Sequence, residues 1–228
     1  MSSELNDEIE LELQADAVAI RSIMESGIVR QFKAAEASNC RLIATYYDTP
    51  YHTLRKAGIS LCVRQEKNHF DQMVRQSVAG LAGLRTFRMC NGPVADARPD
   101  ASAVDDRALR LILKRGGRDK RLIPIFTIDA ERTTVPLDVD GNQIELVLNR
   151  GRIIAPAGQS EDISQIELAQ KTGNAISILD LALKLNEIET LNLGHLSNAD
   201  RGYALAHPRL LPQDIRARKP PLDATMTV

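Results

Sequence analysis

Glu8-Ile9-Glu10-Leu11-Glu12-Leu13-Gln14 alternates without a break between polar and apolar side chains. A period of two belongs to a strand with two unlike faces, not to a helix. Ile9, Leu11 and Leu13 lie on one face, and Glu8, Glu10, Glu12 and Gln14 on the other. Taken alone, the acidic face also fits the solvated side of an edge strand. The segments that follow decide between these.

Downstream, apolar spacing predicts a helix over Asp16–Ala35, and Leu42 to Pro50 reads as a strand stopped by a turn. Strands are expected at Ser60–Glu66, Phe70–Gln76, Thr86–Asn91, Leu122–Thr134, Gln143–Asn149 and Ile163–Gln170. Turns fall at Gly80–Gly83, Asp140-Gly141 and Pro156/Gly158. Helices are expected at Asp105–Arg115, Ala175–Leu185 and Asp200–Ala206. Strand and helix do not alternate, which excludes a doubly wound parallel sheet. The fold class expected is α+β: an antiparallel β-barrel with helices packed outside. Residues 1–206 form that domain, and 207–228, with Pro208, Pro212, Pro220 and Pro221, read as a linker or disordered tail.

Composition narrows the function. The chain has 228 residues, 43% hydrophobic and 26% charged, with formal net charge -1, which argues against a nucleic-acid coat. Aromatic content is 4% with no Trp, so stacking on bases is a poor recognition mode. Cys40, Cys62 and Cys90 form no zinc spacing and no disulfide framework, which suits a reducing compartment. His52, His69, His195 and His207 show no metal spacing, and the basic run at 115–121 reads as a solvated turn. The acidic, alternating start is neither signal nor transit peptide, and no apolar run spans a bilayer. The expected location is therefore cytoplasmic.

Period-two reading gathers Glu10, Arg64, Arg75, Arg132, Glu145 and Glu167 on one face, opposite Leu61, Val63, Val74, Ile144, Leu146, Leu148, Ile166 and Leu168. If helices cover the apolar faces, the barrel interior is the charged side. Buried charges need partners, which another charge, water, a metal or an anion supplies.

The motifs on these strands resemble the CYTH, or triphosphate-tunnel metalloenzyme, family, and the bacterial inorganic triphosphatases within it. Glu8 and Glu10 match its Glu-x-Glu-x-Lys pattern, with Glu12 in the lysine's place. Tyr47-Asp48-Thr49-Pro50, Gln72-Met73-Val74-Arg75, Glu131-Arg132-Thr133 and Arg201-Gly202-Tyr203-Ala204-Leu205 match further stretches. The resemblance implies a tunnel in which Arg64, Arg75, Arg132 and Arg201 grip a phosphorylated small molecule, a nucleotide or polyphosphate. It implies Mg²⁺ or Mn²⁺ held by Glu8, Glu10, Glu145 and Glu167.

Departures from the pattern qualify this. Met89 and Asn91 stand in place of two carboxylates, Asn149 in place of an aspartate, Cys62 in place of an arginine and Asn198 in place of a lysine. In Gln165-Ile166-Glu167-Leu168-Ala169 one of three expected carboxylates remains. Glu12 adds an anion about 7 Å from each like-charged strand neighbour, a repulsion of about 2 kcal/mol at an effective dielectric of about 20. Protonation, a metal or a pairing arginine would relieve it. The expected function is binding of a phosphorylated anion with lost or weak catalysis. A Mg²⁺- or Mn²⁺-dependent triphosphatase and a protein-interaction module, with a protein partner or a second copy of the chain, are the alternatives.

Overall fold

The computed structural model describes residues 6–67, 69–81, 83–104, 110 and 121–208. Its strands are β1 (Asn6–Gln14), β2 (Ser38–Asp48), β3 (Ile59–Glu66), β4 (His69–Leu81), β5 (Leu84–Pro93), β6 (Ile123–Val139), β7 (Asn142–Ile154), β8 (Ser160–Gln170) and the two-residue β9 (Asn192–Leu193). The helices are α1 (Ala17–Met24), α2 (Gly27–Phe32), α3 (Thr53–Lys56), α4 (Ile176–Asn186) and α5 (Asn198–Ala206). The strand order is β5-β4-β3-β2-β6-β7-β8-β1-β9, and β5 pairs with β1 to close the barrel. Every paired strand is antiparallel. Closure leaves the ring without a free edge. Among the described residues no helix is long and apolar enough to cross a membrane.

The faces divide as the alternation requires. Leu11 and Leu13 join Val135, Leu137, Ile144, Leu146, Leu148, Ile166 and Leu168 on the outer wall. Ala19 and Ile23 of α1, Val29 of α2 and Ile178, Leu181 and Leu185 of α4 cover that wall. The helices bury the apolar side, so the barrel's inner side carries the glutamates. Glu8, Glu10 and Glu12 are only 7%, 5% and 7% exposed, which removes the solvated-edge reading.

Several boundaries differ from the sequence reading. The helix expected over 16–35 is two helices, because Ser26 caps α2 by accepting from the Val29 N–H and restarts the chain in a new direction. Most strands run further than their apolar cores suggested, β6 to Val139 and β7 to Ile154. β6 passes through Pro136 because its β2 partner ends at the Ser38–Thr134 pair, so on that side no ladder bond is lost. At Asp140-Gly141 both residues have positive φ, 53° and 83°, as a tight hairpin turn of this type demands. The helix expected at 105–115 lies, Arg110 apart, outside the described residues, as does the tail beyond Pro208.

The strongest local signals prove to be scaffolding. The Asp48 carboxylate is fully buried and accepts from the backbone N–H groups of Thr49, Leu54 and Arg55 at 2.7, 2.9 and 3.0 Å. The Tyr203 hydroxyl donates to it at 2.8 Å. Asp48 thus ties the turn after β2 to α5. Gly202 lies against the ring of Phe126, which occupies the space a Cβ would need. Replacing Gly202 by Ala should destabilise the protein by about 1–3 kcal/mol through overpacking. Thermal or urea unfolding checks this; a midpoint equal to wild type would show that α5 is not held by this contact.

Candidate functional site

A cavity of about 380 Å³ lies inside the barrel. Glu10 and Glu12 of β1, Arg64 of β3, Arg75 of β4, Arg85 of β5, Arg132 of β6, Asn149 of β7 and Glu167 of β8 all face it. The N-terminal turn of α5, Ser197 to Asp200, borders it too.

Each buried glutamate of the barrel has a cationic partner. Arg75 donates to Glu10 at 2.9 Å through one terminal nitrogen; the other lies 2.7 Å from the second Glu10 oxygen and 3.5 Å from Glu8. Lys171 bridges Glu8 at 2.8 Å and Glu145 at 3.1 Å. Arg85 pairs with Glu12 and also donates to the Gly194 carbonyl at 3.0 Å. Gln165 donates to the other Glu12 oxygen at 3.2 Å. Arg132 lies 3.7 Å from Glu167. The repulsion expected at Glu12 is therefore met by an arginine that the sequence reading did not nominate.

Arg64 is different. Among the described residues it is the cavity arginine without an ion pair, and its buried Nε has no hydrogen-bond partner. An unsatisfied buried donor costs about 1–3 kcal/mol, which an incoming anion would recover.

The environment sets the protonation of the glutamates. Burial pushes Glu10 up to about 8 against the pull of Arg75, with Glu167, Glu8 and Glu12 adding to the rise. Burial likewise pushes Glu12 up to about 7, opposed by Arg85. Burial also opposes the charged form of Glu8, yet Arg75 and Lys171 outweigh it and hold that carboxyl below its ordinary value.

Two nominated residues lie apart from this group. Arg201 does not border the cavity: it donates to Glu161 at 2.7 Å, to Asn198 at 3.2 Å and to the Asp162 carbonyl at 2.6 Å. Glu145 sits at the rim with its side chain 33% exposed, against Lys171. The nominated Arg64, Arg75, Arg132, Glu10 and Glu167 do meet in the cavity, with Glu8 tied in through Arg75. Arg85 and Lys171 were missed by one residue each, because β5 begins before Thr86 and the β8 face continues past Gln170. Their parity was legible: Arg85 matches Met89 and Asn91, and Lys171 matches Glu167.

A hard divalent cation needs several oxygen ligands at about 2.0–2.6 Å. Here Glu8, Glu10, Glu12 and Glu167 already face guanidinium or ammonium groups, and their neighbours Asn149, Gln165 and Ala169 are neutral. No three His, Cys, Asp or Glu side chains among the described residues converge as a metal site. The residues present do not fit Mg²⁺ or Mn²⁺ as they stand.

A CYTH domain profile matches residues 6–203. The chain belongs to the CYTH domain family. An inorganic triphosphatase from Haemophilus influenzae is 29% identical over 182 residues, 79% of this CYTH chain and 50% of the relative. This chain thus spans about half the length of that relative. Among solved structures, a Hippeastrum protein described as a candidate adenylyl cyclase with a dominant triphosphatase activity superposes with a TM-score of 0.57. It is 13% identical, over 90% of this chain and 98% of that one. A candidate adenylate cyclase from Bacillus halodurans gives 0.55 at 16% identity, over 88% and 98%. At these identities the structures share the CYTH tunnel fold, and CYTH triphosphatases are in general metal-dependent.

The raised carboxyl values fix a sign. Glu10 and Glu12 bind protons more tightly folded than unfolded, so the stability this contributes is present below about 4.5 and is lost as pH rises through about 7 and 8. Glu8 acts oppositely, losing its contribution as pH falls through its lowered folded value. The melting temperature should therefore fall between pH 6 and pH 9, and Glu12→Gln should flatten that slope. An unchanged slope in the variant would remove Glu12 from the account.

Proposed function

We propose that this CYTH tunnel binds a linear phosphoanhydride anion, inorganic polyphosphate or an organic di- or triphosphate, and hydrolyses it weakly or not at all. The observation that carries the binding half is Arg64, a cavity arginine that among the described residues has no ion pair and whose buried Nε has no partner. Guanidinium groups hold phosphate oxygens through paired, charge-assisted hydrogen bonds. Arg132, loosely paired at 3.7 Å, is placed to turn from Glu167 to a ligand. Arg75 and Arg85 are held by carboxylates and act mainly to keep the cavity's charge near balance.

Weak catalysis follows from the same pairs. A two-metal mechanism asks carboxylates to hold both ions. Glu8, Glu10 and Glu12 would first have to release Arg75, Lys171 and Arg85. The inorganic triphosphatase from Haemophilus influenzae supports the rival reading, in which ligand entry rearranges these pairs and hydrolysis survives.

Titration calorimetry with inorganic tripolyphosphate in EDTA tests the binding. Saturable binding is expected, weakened about 10- to 100-fold in Arg64→Ala for the loss of about 1.5–3 kcal/mol of charge-assisted hydrogen bonding. No binding with or without Mg²⁺ would refute the proposal, and rapid metal-dependent phosphate release would refute its claim of weak catalysis.

A further inference from the structure

The cavity wall is not uniformly polar. Leu42 and Ala44 of β2, Ile128 of β6 and Ile163 of β8 all border it. Their register makes them one patch: Ala44 pairs with Ile128, Leu42 with Ala130, Ala130 with Gly151, and Gly151 with Ile163. No polar side chain interrupts these rows. The cations stand at the patch's edges. Arg64 pairs directly with Ala44 across β3 and β2, and Arg132 follows Ala130 by two residues on the same face of β6. The rest of the inner face holds Arg75, Arg85, Glu10 and Glu12 on β4, β5 and β1, with Asn149 on β7 and Glu167 on β8.

From this division we propose that the tunnel accepts an amphiphile: a di- or triphosphate ester of a small aliphatic alcohol. Its anionic group lies at Arg64 and Arg132, and its alkyl group lies against Leu42, Ala44, Ile128 and Ile163. The proposal rests on the preceding reading that the tunnel binds phosphoanhydrides, and it names their class. Water against the aliphatic patch finds no side-chain hydrogen-bond partner there, so an alkyl group displaces it favourably. A wholly inorganic anion would leave the patch facing water or its own charged oxygens. The volume, about 380 Å³, matches about a dozen waters at about 30 Å³ each, room for a phosphoanhydride and several carbons.

The aromatic residues argue against a nucleobase. Tyr46 is stacked on Phe126 with ring centroids 4.4 Å apart. Phe87 carries the Arg75 guanidinium 5.2 Å from its centroid, and Tyr203 carries that of Arg55 at 4.7 Å. Each ring bordering the cavity is already partnered, which leaves the aliphatic patch, whose four side chains are 2–7% exposed, as the apolar surface meeting the cavity.

A series of methyl, propyl and 3-methylbutyl triphosphates, equal in charge, is titrated into the intact chain in EDTA. Each added carbon that enters the patch should tighten binding about fourfold, so the 3-methylbutyl ester should bind more than tenfold tighter than the methyl ester. Leu42→Ser and Ile163→Ser should shrink that ratio, with circular dichroism reporting whether they fold; if they do not, the ester series on the wild-type chain decides. A flat or reversed series with tripolyphosphate still bound would overturn the amphiphile alone. ATP binding tighter than the 3-methylbutyl ester would overturn it in favour of a nucleoside. Failure of every ester and of tripolyphosphate would overturn the underlying phosphoanhydride reading instead.

Discussion

Arg75 reaches across the barrel interior to the carboxylates of Glu10 and Glu8, and the architecture depends on charges of this kind being matched where water is scarce. Moving an unpaired ion into such a place costs several kcal/mol, and removing one partner of a buried pair costs about 3–5 kcal/mol. Arg85 with Glu12, Arg132 with Glu167 and Lys171 with Glu8 repeat the arrangement around the ring. The glutamates of β1 and β8 can point inward because other strands of the ring present cations to them. The alternation that buries Leu11 and Leu13 under the helices leaves the chain no other place for those glutamates.

The same pairing governs chemistry. Where the glutamates are ionised, above about pH 7 for Glu12 and about pH 8 for Glu10, a carboxylate that neutralises an arginine is a poor ligand for a dication, and an arginine so neutralised attracts a phosphate less. What remains free then defines the site. Among the described residues Arg64 has no carboxylate, Arg132 has a distant one, and between them lies an aliphatic patch instead of further charge. The tunnel is accordingly less cationic than its number of arginines suggests.

Much of this was legible in the sequence, for a physical reason. Period-two alternation runs along most of the wall, interrupted by register shifts at Tyr46/Tyr47 and Ser77/Ala79, because a barrel wall has two unlike faces, so Glu10, Arg64, Arg75, Arg132 and Glu167 fell on one side together. Strand ends were less legible, since polar residues such as Arg85 and Lys171 carry no apolar alternation to mark them. Arg201 was assigned from its motif alone, and nothing in the order of residues shows that Glu161, forty positions earlier, would take its guanidinium. Glu145 shares the inward parity but lies where β7 reaches the rim, and depth along a barrel is not encoded by parity. The Asp48–Tyr203 hydrogen bond was invisible for the same reason: it joins residues far apart in the chain through a tertiary contact.

The central claim is that internal cations occupy the carboxylates a metal would need, and a direct Mn²⁺ titration of the ligand-free protein, followed by electron paramagnetic resonance, tests it most closely. The account predicts that the free Mn²⁺ signal rises in proportion to added metal, with no saturable site at micromolar concentrations. Stoichiometric uptake abolished by Glu10→Gln would contradict it, showing that the glutamates exchange arginine for metal readily.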